Sequence, residues 1–517
     1  MTVDAPLDPL AAHLSAAGPA ARRLRRVLAL LAGDWHPLAE LIRRPAAPRR
    51  SVEELLALLG PDLESQGDRH RIRPARAAAY RSAFELDEIP GPADPLADAV
   101  SQHTAALSTI RADIDANPPP LPALDHVPAT PESVLRRALW LERTYDLSGA
   151  QVLCLGDHDL TSLALAAVRP DLQITVVDLD ERLLAHIDAT ARARGHRIRC
   201  LHADLRFGFP PSATGWADLV FTDPPYTPEG IGLFATRAVE SLRDPATGRI
   251  HLAYGFSERS PALGWKVQQE LLKLGLVFEA LLPDFDRYLG AQAVGSASSL
   301  YVCRPTAKAK KTVASTGIYT HGPQSIEAGT TDRIGPLREL AAKDGLEVVV
   351  RQPGWAAPVT ARGAVALDTT ADPGPWALRH LLAISADRVL LLVDNNHPDI
   401  TSERGQRGLA DLVASKYKLR FLRSNPDPKS AVIVADRIDE TPESQQIQRA
   451  LVDRAHGKPG NIWREALTRT GLTKNEARAR ITELLPDLDL SARLIDLPRH
   501  QLAELFTALG AEVLTDR

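Results

Sequence analysis

Residues 152–166 read VLCLGDHDLTSLALA: an apolar run, a polar turn and a second apolar run. This order predicts a buried strand that leads through a tight turn into a helix. A phosphate-binding turn in this place carries several glycines, whereas here Gly156 is followed by Asp157, His158 and Asp159. The stretch therefore predicts the first strand–turn–helix unit of a nucleotide-binding fold, with a turn that suits a cationic ligand.

The alternation of strand and helix continues downstream of this stretch. The apolar strand segments that follow read QITVVDLD, IRCLHADL, ADLVFTDPPY and GRIHLAYGF, and helical segments lie between the first two and before the last. Such alternation predicts a parallel sheet that is covered by helices on both faces. Sheets of this kind bind ligands at the carboxyl ends of their strands. Residues 132–305 are therefore expected to form a Rossmann-like domain.

The flanking regions predict further units. Residues 1–112 combine short helices with a basic hairpin and predict a winged-helix-like domain, and residues 113–131 form a proline-rich linker. After a basic linker at 306–320, residues 321–437 show a second set of strands and helices, and residues 438–517 are helical. The chain as a whole is expected to be α/β, with a C-terminal α/β and helical extension.

Composition excludes several classes of protein. The 517 residues carry a formal net charge of -4, so nucleic acid is not the expected partner, although a basic patch in one domain stays open. No apolar run approaches the ~20 residues of a membrane span, and the N-terminus does not resemble a secretory signal. Three cysteines without paired spacing are expected to be buried thiols. We expect a cytoplasmic, bacterial protein without membrane contact.

Aspartates follow four of the predicted strands. The set comprises Asp157, Asp159, Asp178, Asp204 and Asp223. Because parallel strands end at one edge of the sheet, these carboxylates are expected to line one crevice. A carboxylate after the second strand, here Asp178, commonly accepts hydrogen bonds from a ribose hydroxyl pair. The alternative is that each aspartate only caps the next helix.

The tetrapeptide DPPY at 223–226 is more specific. Its two prolines fix the backbone and remove two amide donors, so that Asp223 and Tyr226 are held at the mouth of the crevice. An amine nucleophile needs acceptors that hold it, a base that takes its proton and an aromatic face that tolerates a cation. Such a turn at a strand end is typical of enzymes that alkylate amino groups with S-adenosylmethionine or a relative of it.

Several segments together resemble one family over residues 20–305. They read TPESVLRRALWL, LCLGDHDLTSLALA, ITVVDLDERLL, ADLRFGFP, FTDPPYTPEGIGLFATRAVESL and LLPDFDRYLG. This order resembles the branched-chain polyamine synthases, or N4-bis(aminopropyl)spermidine synthases, which join a winged-helix-like domain to a Rossmann-like aminopropyltransferase domain. The resemblance implies transfer of the aminopropyl group of decarboxylated S-adenosylmethionine, a co-substrate, to spermidine, with release of methylthioadenosine. The chain from residue 310 onward has no counterpart in the family.

The resemblance also implies roles for individual residues. Asp159 and Asp223 would bind and orient the acceptor amine, one of them as general base, and Tyr226 would form a wall of the amine pocket. Asp178 would hold the ribose of the donor, and Asp204 its adenine amino group. The donor-binding set implied by the loop and strand ends is Gly156, Asp157, Asp178 and Asp204. No metal is expected.

Elementary chemistry suggests further carboxylates. A polyamine is a chain of ammonium groups, and attack on a sulfonium carbon needs one neutral nitrogen while the others stay charged. A channel for such a substrate should be lined by carboxylates, and the additional candidates are Glu258, Asp284 and Asp286. The expected partner is a small polyamine such as spermidine, and a homodimer is expected.

His158 is the departure from the family pattern, whose loop has an aspartate at this position. The loss of one negative charge could weaken a long polyamine, shift acceptor choice, or admit a donor that keeps its carboxylate; alternatively, the side chain points away from the pocket. An aminocarboxypropyl transferase that uses intact S-adenosylmethionine is therefore a second hypothesis. A nucleic-acid amino-methyltransferase of the DPPY type is a third, and a non-catalytic, degenerate enzyme a fourth.

Overall fold

The largest sheet of the protein has seven strands, and smaller sheets lie on either side of it in the sequence. The structure is a computed structural model that describes residues 7–18, 21–89, 94–307, 309, 317–320, 334–486 and 488–515. Among these described residues, no helix combines the length and the apolar character needed to cross a membrane.

The N-terminal unit packs amphipathic helices on a small antiparallel sheet of order β1-β3-β2. In helix α2 the apolar residues recur every three or four positions and are buried, whereas Arg22 is exposed. The helices are α1 (Leu7–Ala16), α2 (Ala21–Leu31), α3 (Leu38–Arg43), α4 (Arg49–Leu59) and α5 (Pro74–Ala83). The strands are β1 (His36–Pro37), β2 (Leu63–Gln66) and β3 (Arg69–Ile72).

Three helices lead from this unit to the large sheet. They are α6 (Ala97–Gln102), α7 (Thr104–Ala116) and α8 (Pro131–Thr144). Helix α7 extends to Ala116, into the segment predicted as a linker, and its buried Asp113 forms an ion pair with Arg194 at 2.5 Å. Thr130 begins α8, since its side chain accepts a hydrogen bond from the Ser133 backbone N–H.

Six strands of the large sheet run in one direction, and the last one in the sequence runs against them. The strands are β4 (Gln151–Leu155), β5 (Gln173–Asp178), β6 (Ile198–His202), β7 (Leu219–Thr222), β8 (Arg249–Tyr254), β9 (Leu276–Arg287) and β10 (Ala297–Pro305). In the order β6-β5-β4-β7-β8-β10-β9, all strands run in the same direction except β10, which pairs antiparallel with both of its neighbours, β8 and β9. The covering helices are α9 (Thr161–Val168), α10 (Glu181–Arg194), α11 (Pro228–Ser241) and α12 (Pro261–Lys273).

The strand order reverses at β4, which has β5 on one side and β7 on the other. In an open α/β sheet, such a point leaves a crevice at the carboxyl ends of the strands. The turn after β4 enters α9 through Leu160, whose φ is 61°. The turn after β7 enters α11 through Thr227, whose side chain caps the helix. These two turns place the predicted site residues at the crevice, and the Rossmann-like architecture is present.

The C-terminal extension contains a five-stranded sheet of order β11-β13-β15-β17-β16. Its strands are β11 (Val348–Arg351), β12 (Val359–Thr360), β13 (Ala364–Asp368), β14 (Ile384–Ser385), β15 (Arg388–Asp394), β16 (Tyr417–Leu422) and β17 (Ser430–Arg437), with β12 and β14 forming a separate pair. The helices are α13 (Gly335–Ala342), α14 (Trp376–Ala383), α15 (Pro398–Thr401), α16 (Glu403–Val413), α17 (Gln446–Asp453), α18 (Pro459–Arg469), α19 (Lys474–Leu484) and α20 (Arg499–Thr515).

The two α/β units share one hydrophobic core. Leu201 of β6 belongs to the same buried cluster as Trp355 and Trp376 of the extension. Polar contacts cross the same boundary: Arg379 pairs with Glu181 at the start of α10. The extension therefore packs directly against the domain that carries the crevice.

Candidate active site

A cavity of about 490 Å³ lies at the carboxyl ends of the parallel strands. Its lining includes most of the site residues predicted from the sequence, namely Gly156, Asp157, His158, Asp159, Asp178, Asp204, Asp223 and Tyr226. The structure thus brings together side chains that follow four different strands. Glu258, Asp284 and Asp286 are not among the residues that line this cavity.

Arg137 is the central cation of this cavity. It lies on α8, and its side chain has no exposed surface. Its guanidinium forms ion pairs with Asp159 at 2.8 Å, with Asp223 at 2.7 Å and with Asp286 at 3.0 Å. One positive charge is therefore surrounded by three carboxylates. The excess of negative charge favours the binding of a cationic ligand in the cavity.

Arg137 was not singled out from the sequence, although a signal was available. Helix α8 buries Val134, Leu135, Ala138 and Leu141 on the face that packs against the sheet. Arg137 lies on that apolar face, three residues after Val134 and four before Leu141. An arginine at such a position is rarely buried unless it is paired. The sequence could therefore have predicted an ion pair between this arginine and the aspartates that follow the strands.

Asp223 accepts hydrogen bonds from two tyrosines. The Tyr288 hydroxyl donates to its Oδ2 at 2.7 Å, and the Tyr226 hydroxyl lies 3.3 Å from its Oδ1. The two hydroxyls are 3.0 Å apart. Burial raises the pKa of Asp223 to about 7, and the charge of Arg137 offsets only part of this rise. Asp223 can therefore accept a proton near neutral pH.

Asp159 is held more rigidly than Asp223. Its Oδ1 accepts a hydrogen bond from the Ala129 backbone N–H at 2.8 Å, and its Oδ2 accepts one from Arg137. The residue is 8% exposed, so one edge of the carboxylate reaches the cavity. Its fixed negative charge lies where a cationic group of a ligand would enter.

The turn after β4 depends on Gly156, whose φ is 66°. A Cβ at this position would also lie 3.2 Å from the Phe234 ring. Asp157 then accepts a hydrogen bond from the Ser162 backbone N–H at 3.2 Å, and burial raises its pKa to about 7. Glycine thus suits both the backbone and the space here, and Asp157 anchors the first turn of α9.

Asp178 ends β5 and links two turns. Its Oδ2 accepts a hydrogen bond from the Asp157 N–H at 2.8 Å, and its Oδ1 accepts one from the Asp180 N–H at 2.7 Å. Burial raises its pKa to about 6. Each carboxylate oxygen can accept about two hydrogen bonds, so Asp178 retains acceptor capacity toward the cavity.

Asp204, by contrast, is saturated. Its Oδ1 accepts from the backbone N–H and the Nε of Arg206 at 3.0 and 2.9 Å. Its Oδ2 accepts from the Nη2 of Arg206 at 2.5 Å and from the indole Nε1 of Trp376 at 3.1 Å. The four donors use the ordinary capacity of a carboxylate.

His158 lines the cavity and stacks on His126, with ring centroids 4.2 Å apart. The Asn117 amide holds the loop by donating to the His158 carbonyl at 2.8 Å. Burial lowers the pKa of His158 and lowers that of His126 to about 3. The pair is therefore neutral at physiological pH and offers aromatic surface where the family pattern has a carboxylate.

Two of the additional carboxylates bind the N-terminal unit instead of facing the cavity. Arg23 on α2 lies 3.1 Å from Glu258 and 3.3 Å from Asp284. Asp286 is fully buried, where it accepts hydrogen bonds from Arg137 and from the Ser298 hydroxyl. These three side chains were predicted to line a channel because of their charge. In the structure they instead pair with Arg23 and Arg137.

A short segment of the predicted basic linker forms one wall of the cavity. Ile318, Tyr319 and Thr320 all line it. The Thr227 hydroxyl donates to the Ile318 carbonyl at 2.6 Å, and the Thr320 N–H donates to Asp125 at 2.6 Å.

Across the described ranges, no three histidine, cysteine or acidic side chains are grouped so that they could hold a metal ion.

Comparison with known proteins identifies the region that carries this cavity. Residues 106–320 match the family described as the branched-chain polyamine synthase A C-terminal domain. An uncharacterized protein of Methanocaldococcus jannaschii is 34% identical over 186 residues, which are 36% of this chain and 46% of that protein. The N(4)-bis(aminopropyl)spermidine synthase of Thermococcus kodakarensis is 32% identical over 196 residues, 37% of this chain and 54% of that enzyme.

The chain spans about half the length of the curated relatives it matches. Among solved structures, the branched-chain polyamine synthase of Thermus thermophilus in complex with N4-aminopropylspermidine and 5'-methylthioadenosine has a TM-score of 0.44 and 23% sequence identity. That alignment covers 64% of this chain and 100% of the Thermus chain. The family match over residues 106–320 confirms, for that region, the resemblance read from the sequence motifs.

Proposed function

We propose, because residues 106–320 match the family described as the branched-chain polyamine synthase A C-terminal domain, that this chain is an aminopropyltransferase. The donor is decarboxylated S-adenosylmethionine, the acceptor is an amine nitrogen of a polyamine such as spermidine, and the second product is methylthioadenosine. The observation that carries the proposal is the placement of the buried Asp223 in the cavity, where it lies with Asp159 around Arg137 and where burial raises its pKa to about 7.

The chemistry requires one base and several fixed charges. The acceptor nitrogen attacks the carbon beside the sulfonium, an N–C bond forms, and the C–S bond breaks with its electrons going to sulfur. The proton of the attacking nitrogen goes to the Asp223 carboxylate. Tyr226 and Tyr288 stay protonated, because burial keeps both pKa values well above their usual range. Their hydroxyls orient Asp223 so that its basic oxygen is held toward the nitrogen.

The donor is placed along the ends of β4, β5 and β6. Asp178 has the free acceptor capacity that a ribose hydroxyl pair needs, and Asp157 and Gly156 form the turn beside it. A cavity lined by carboxylates favours a donor with an ammonium and no carboxylate. Intact S-adenosylmethionine, and with it aminocarboxypropyl transfer, is the second candidate because His158 replaces one of the family's negative charges.

The N-terminal unit supports a winged-helix interpretation. Helix α2, strand β1, helices α3 and α4 and the hairpin β2–β3 follow one another in the order of such domains. Arg23 of α2 forms ion pairs with Glu258 and Asp284 of the transferase domain, so this cation serves packing between domains. We assign this unit a structural role and do not assign it a nucleic-acid partner.

The decisive experiment is mass spectrometry of the products formed by the full chain from each donor. Decarboxylated S-adenosylmethionine and spermidine should give methylthioadenosine and a polyamine heavier by one aminopropyl group. An aminocarboxypropyl adduct from intact S-adenosylmethionine would establish the second candidate. Release of S-adenosylhomocysteine with DNA would instead establish methylation and overturn the proposal.

The pH dependence of kcat/KM for the acceptor should show the ionisation of Asp223. The carboxylate form is the base, so it is lost as the pH falls below about 7. Acidification also protonates free amine, so the logarithmic slope should steepen below pH 7. Asp157→Asn should keep this break, because an asparagine oxygen can still accept from Ser162. A profile with one slope through neutral pH would contradict the assignment of the base.

His158→Asp should strengthen the binding of long polyamines. The new carboxylate would lie at the cavity wall, and we expect the acceptor KM to fall by about fivefold. His158→Asn is the matched control, since it also removes the stacking on His126 but adds no charge. Steady-state kinetics with spermidine and a longer polyamine measure both. Equal KM values for the two variants would mean that charge at this position has no effect on the acceptor.

A further inference from the structure

The saturated carboxylate of Asp204 connects the cavity to the C-terminal extension. Trp376, the first residue of α14, donates its indole N–H to Asp204 Oδ2 at 3.1 Å. These two residues are 172 positions apart in the sequence. Trp376 is 3% exposed and Asp204 is also 3% exposed, so the hydrogen bond is shielded from water. A shielded hydrogen bond to a charged group is among the stronger ones in a protein.

Trp376 is itself held by a network within the extension. Asp372 accepts hydrogen bonds from the backbone N–H groups of Gly374, Trp376 and Ala377, and so fixes the start of α14. His397 contacts the same carboxylate through Nε2 at 2.9 Å. His397 lies in the polar stretch DNNHPD at 394–399. It holds Asp372, the residue that in turn positions Trp376.

The network reaches the cavity through an aromatic cluster. The Arg206 guanidinium, which donates hydrogen bonds to Asp204, lies 5.2 Å from the centroid of the Trp376 ring and 5.8 Å from that of the Tyr319 ring. Phe207 packs on Trp376 with ring centroids 5.1 Å apart. Asp204 and Tyr319 both line the cavity. Trp376 therefore fixes the position of the wall without itself being part of it.

This wall lies at one end of the proposed donor site. Asp223 follows β7, Asp178 ends β5, and Asp204 follows β6, at the edge of the parallel strands. A donor whose sulfonium lies at Asp223 and whose ribose lies at Asp178 extends its purine toward β6. The purine therefore meets the wall that contains Asp204 and Tyr319.

We propose that Trp376 is a positioning residue for the nucleoside of the donor, through its indole hydrogen bond to Asp204. This inference rests on the proposed function, because it takes an adenosine thioether as the ligand. Since Asp204 is saturated by Arg206 and Trp376, it shapes the purine site through these neighbours rather than by receiving the adenine amino group. The extension is thus a structural part of the donor site.

The test is the binding of methylthioadenosine to the full chain and to two single variants, measured by isothermal titration calorimetry. Trp376→Phe keeps an aromatic ring and removes the N–H donor. Trp355→Phe is the matched control. Trp355 belongs to the same cluster, with its ring centroid 4.8 Å from that of Phe207, and this substitution also replaces an indole by a phenyl ring. We expect Trp376→Phe to weaken binding by about tenfold and Trp355→Phe to change it by less than about twofold.

Kinetics provide the second measurement. Trp376→Phe should raise the donor KM and leave the acceptor KM unchanged, whereas a general loss of folding would alter both. Equal affinities of the two variants for methylthioadenosine would overturn the role of Trp376 while leaving the proposed function intact. Failure of the unmodified chain to bind methylthioadenosine would overturn the proposed function and this inference together.

Discussion

Asp223→Asn should lower kcat for aminopropyl transfer by at least about a thousandfold, near the upper end of what a general base contributes. Asparagine has nearly the same shape: its one oxygen can still accept from Arg137 and from the Tyr288 hydroxyl, and its amide N–H can donate to the Tyr226 hydroxyl, so the cavity should keep its form. What is lost is the group that takes the proton from the attacking nitrogen. Methylthioadenosine release in single-turnover mixing measures this loss at saturating donor and acceptor.

The matched control for this change is Asp286→Asn. Asp286 also binds Arg137, but it is fully buried and is not among the residues that line the cavity. Its replacement by asparagine also removes one negative charge from beside Arg137, and we expect kcat to fall by less than about tenfold. If both variants lose activity equally, the effect comes from the arginine network and Asp223 is not the base.

Arg137→Met should strongly destabilise the transferase domain. It leaves the carboxylates of Asp159, Asp223 and Asp286 without their shared buried cation. Removing one partner of a buried ion pair typically costs about 3–5 kcal/mol of folding free energy. The expected loss is at least of that order, and urea unfolding followed by circular dichroism gives it from the shift of the midpoint.

The neighbouring arginine provides the control. Arg136 pairs with Asp94 at a partly exposed site, with side chains that are 21% and 27% exposed. Arg136→Met should therefore cost about 1 kcal/mol or less. Similar midpoints for the two variants would show that the buried position of Arg137 gives it no special part in stability. Arg137→Lys should recover only part of the loss, because an ammonium cannot bind several carboxylates as a planar guanidinium does.

The sequence was informative where chemistry and strand position coincide. The carboxyl ends of parallel strands must meet at one edge, so Asp159, Asp178 and Asp223 could be placed in one cavity from their positions after apolar runs. Glu258 also comes four residues after a parallel strand, β8, so strand position alone does not separate it from Asp159, and Asp284 lies within β9. Their partner, Arg23, comes from a different unit, and no local pattern indicates that contact.

The remaining features depend on contacts between distant segments. The hydrogen bond from Trp376 to Asp204 joins two units that looked separate, because the basic segment between them resembled a linker. Tyr319 lies within that segment, yet its ring faces the cavity. Side chains of this kind are positioned by tertiary packing, which helical or strand periodicity does not encode.

The core shared by the two α/β units has a consequence for how such a chain can change over evolutionary time. The His202 ring, fully buried at the end of β6, stacks on Trp355 of the extension with centroids 6.0 Å apart. Interiors are packed so closely that a change of even one methylene is felt by its neighbours. A substitution on one side of this boundary therefore alters the packing on the other side, so that side chains such as His202 and Trp355 constrain each other's replacement.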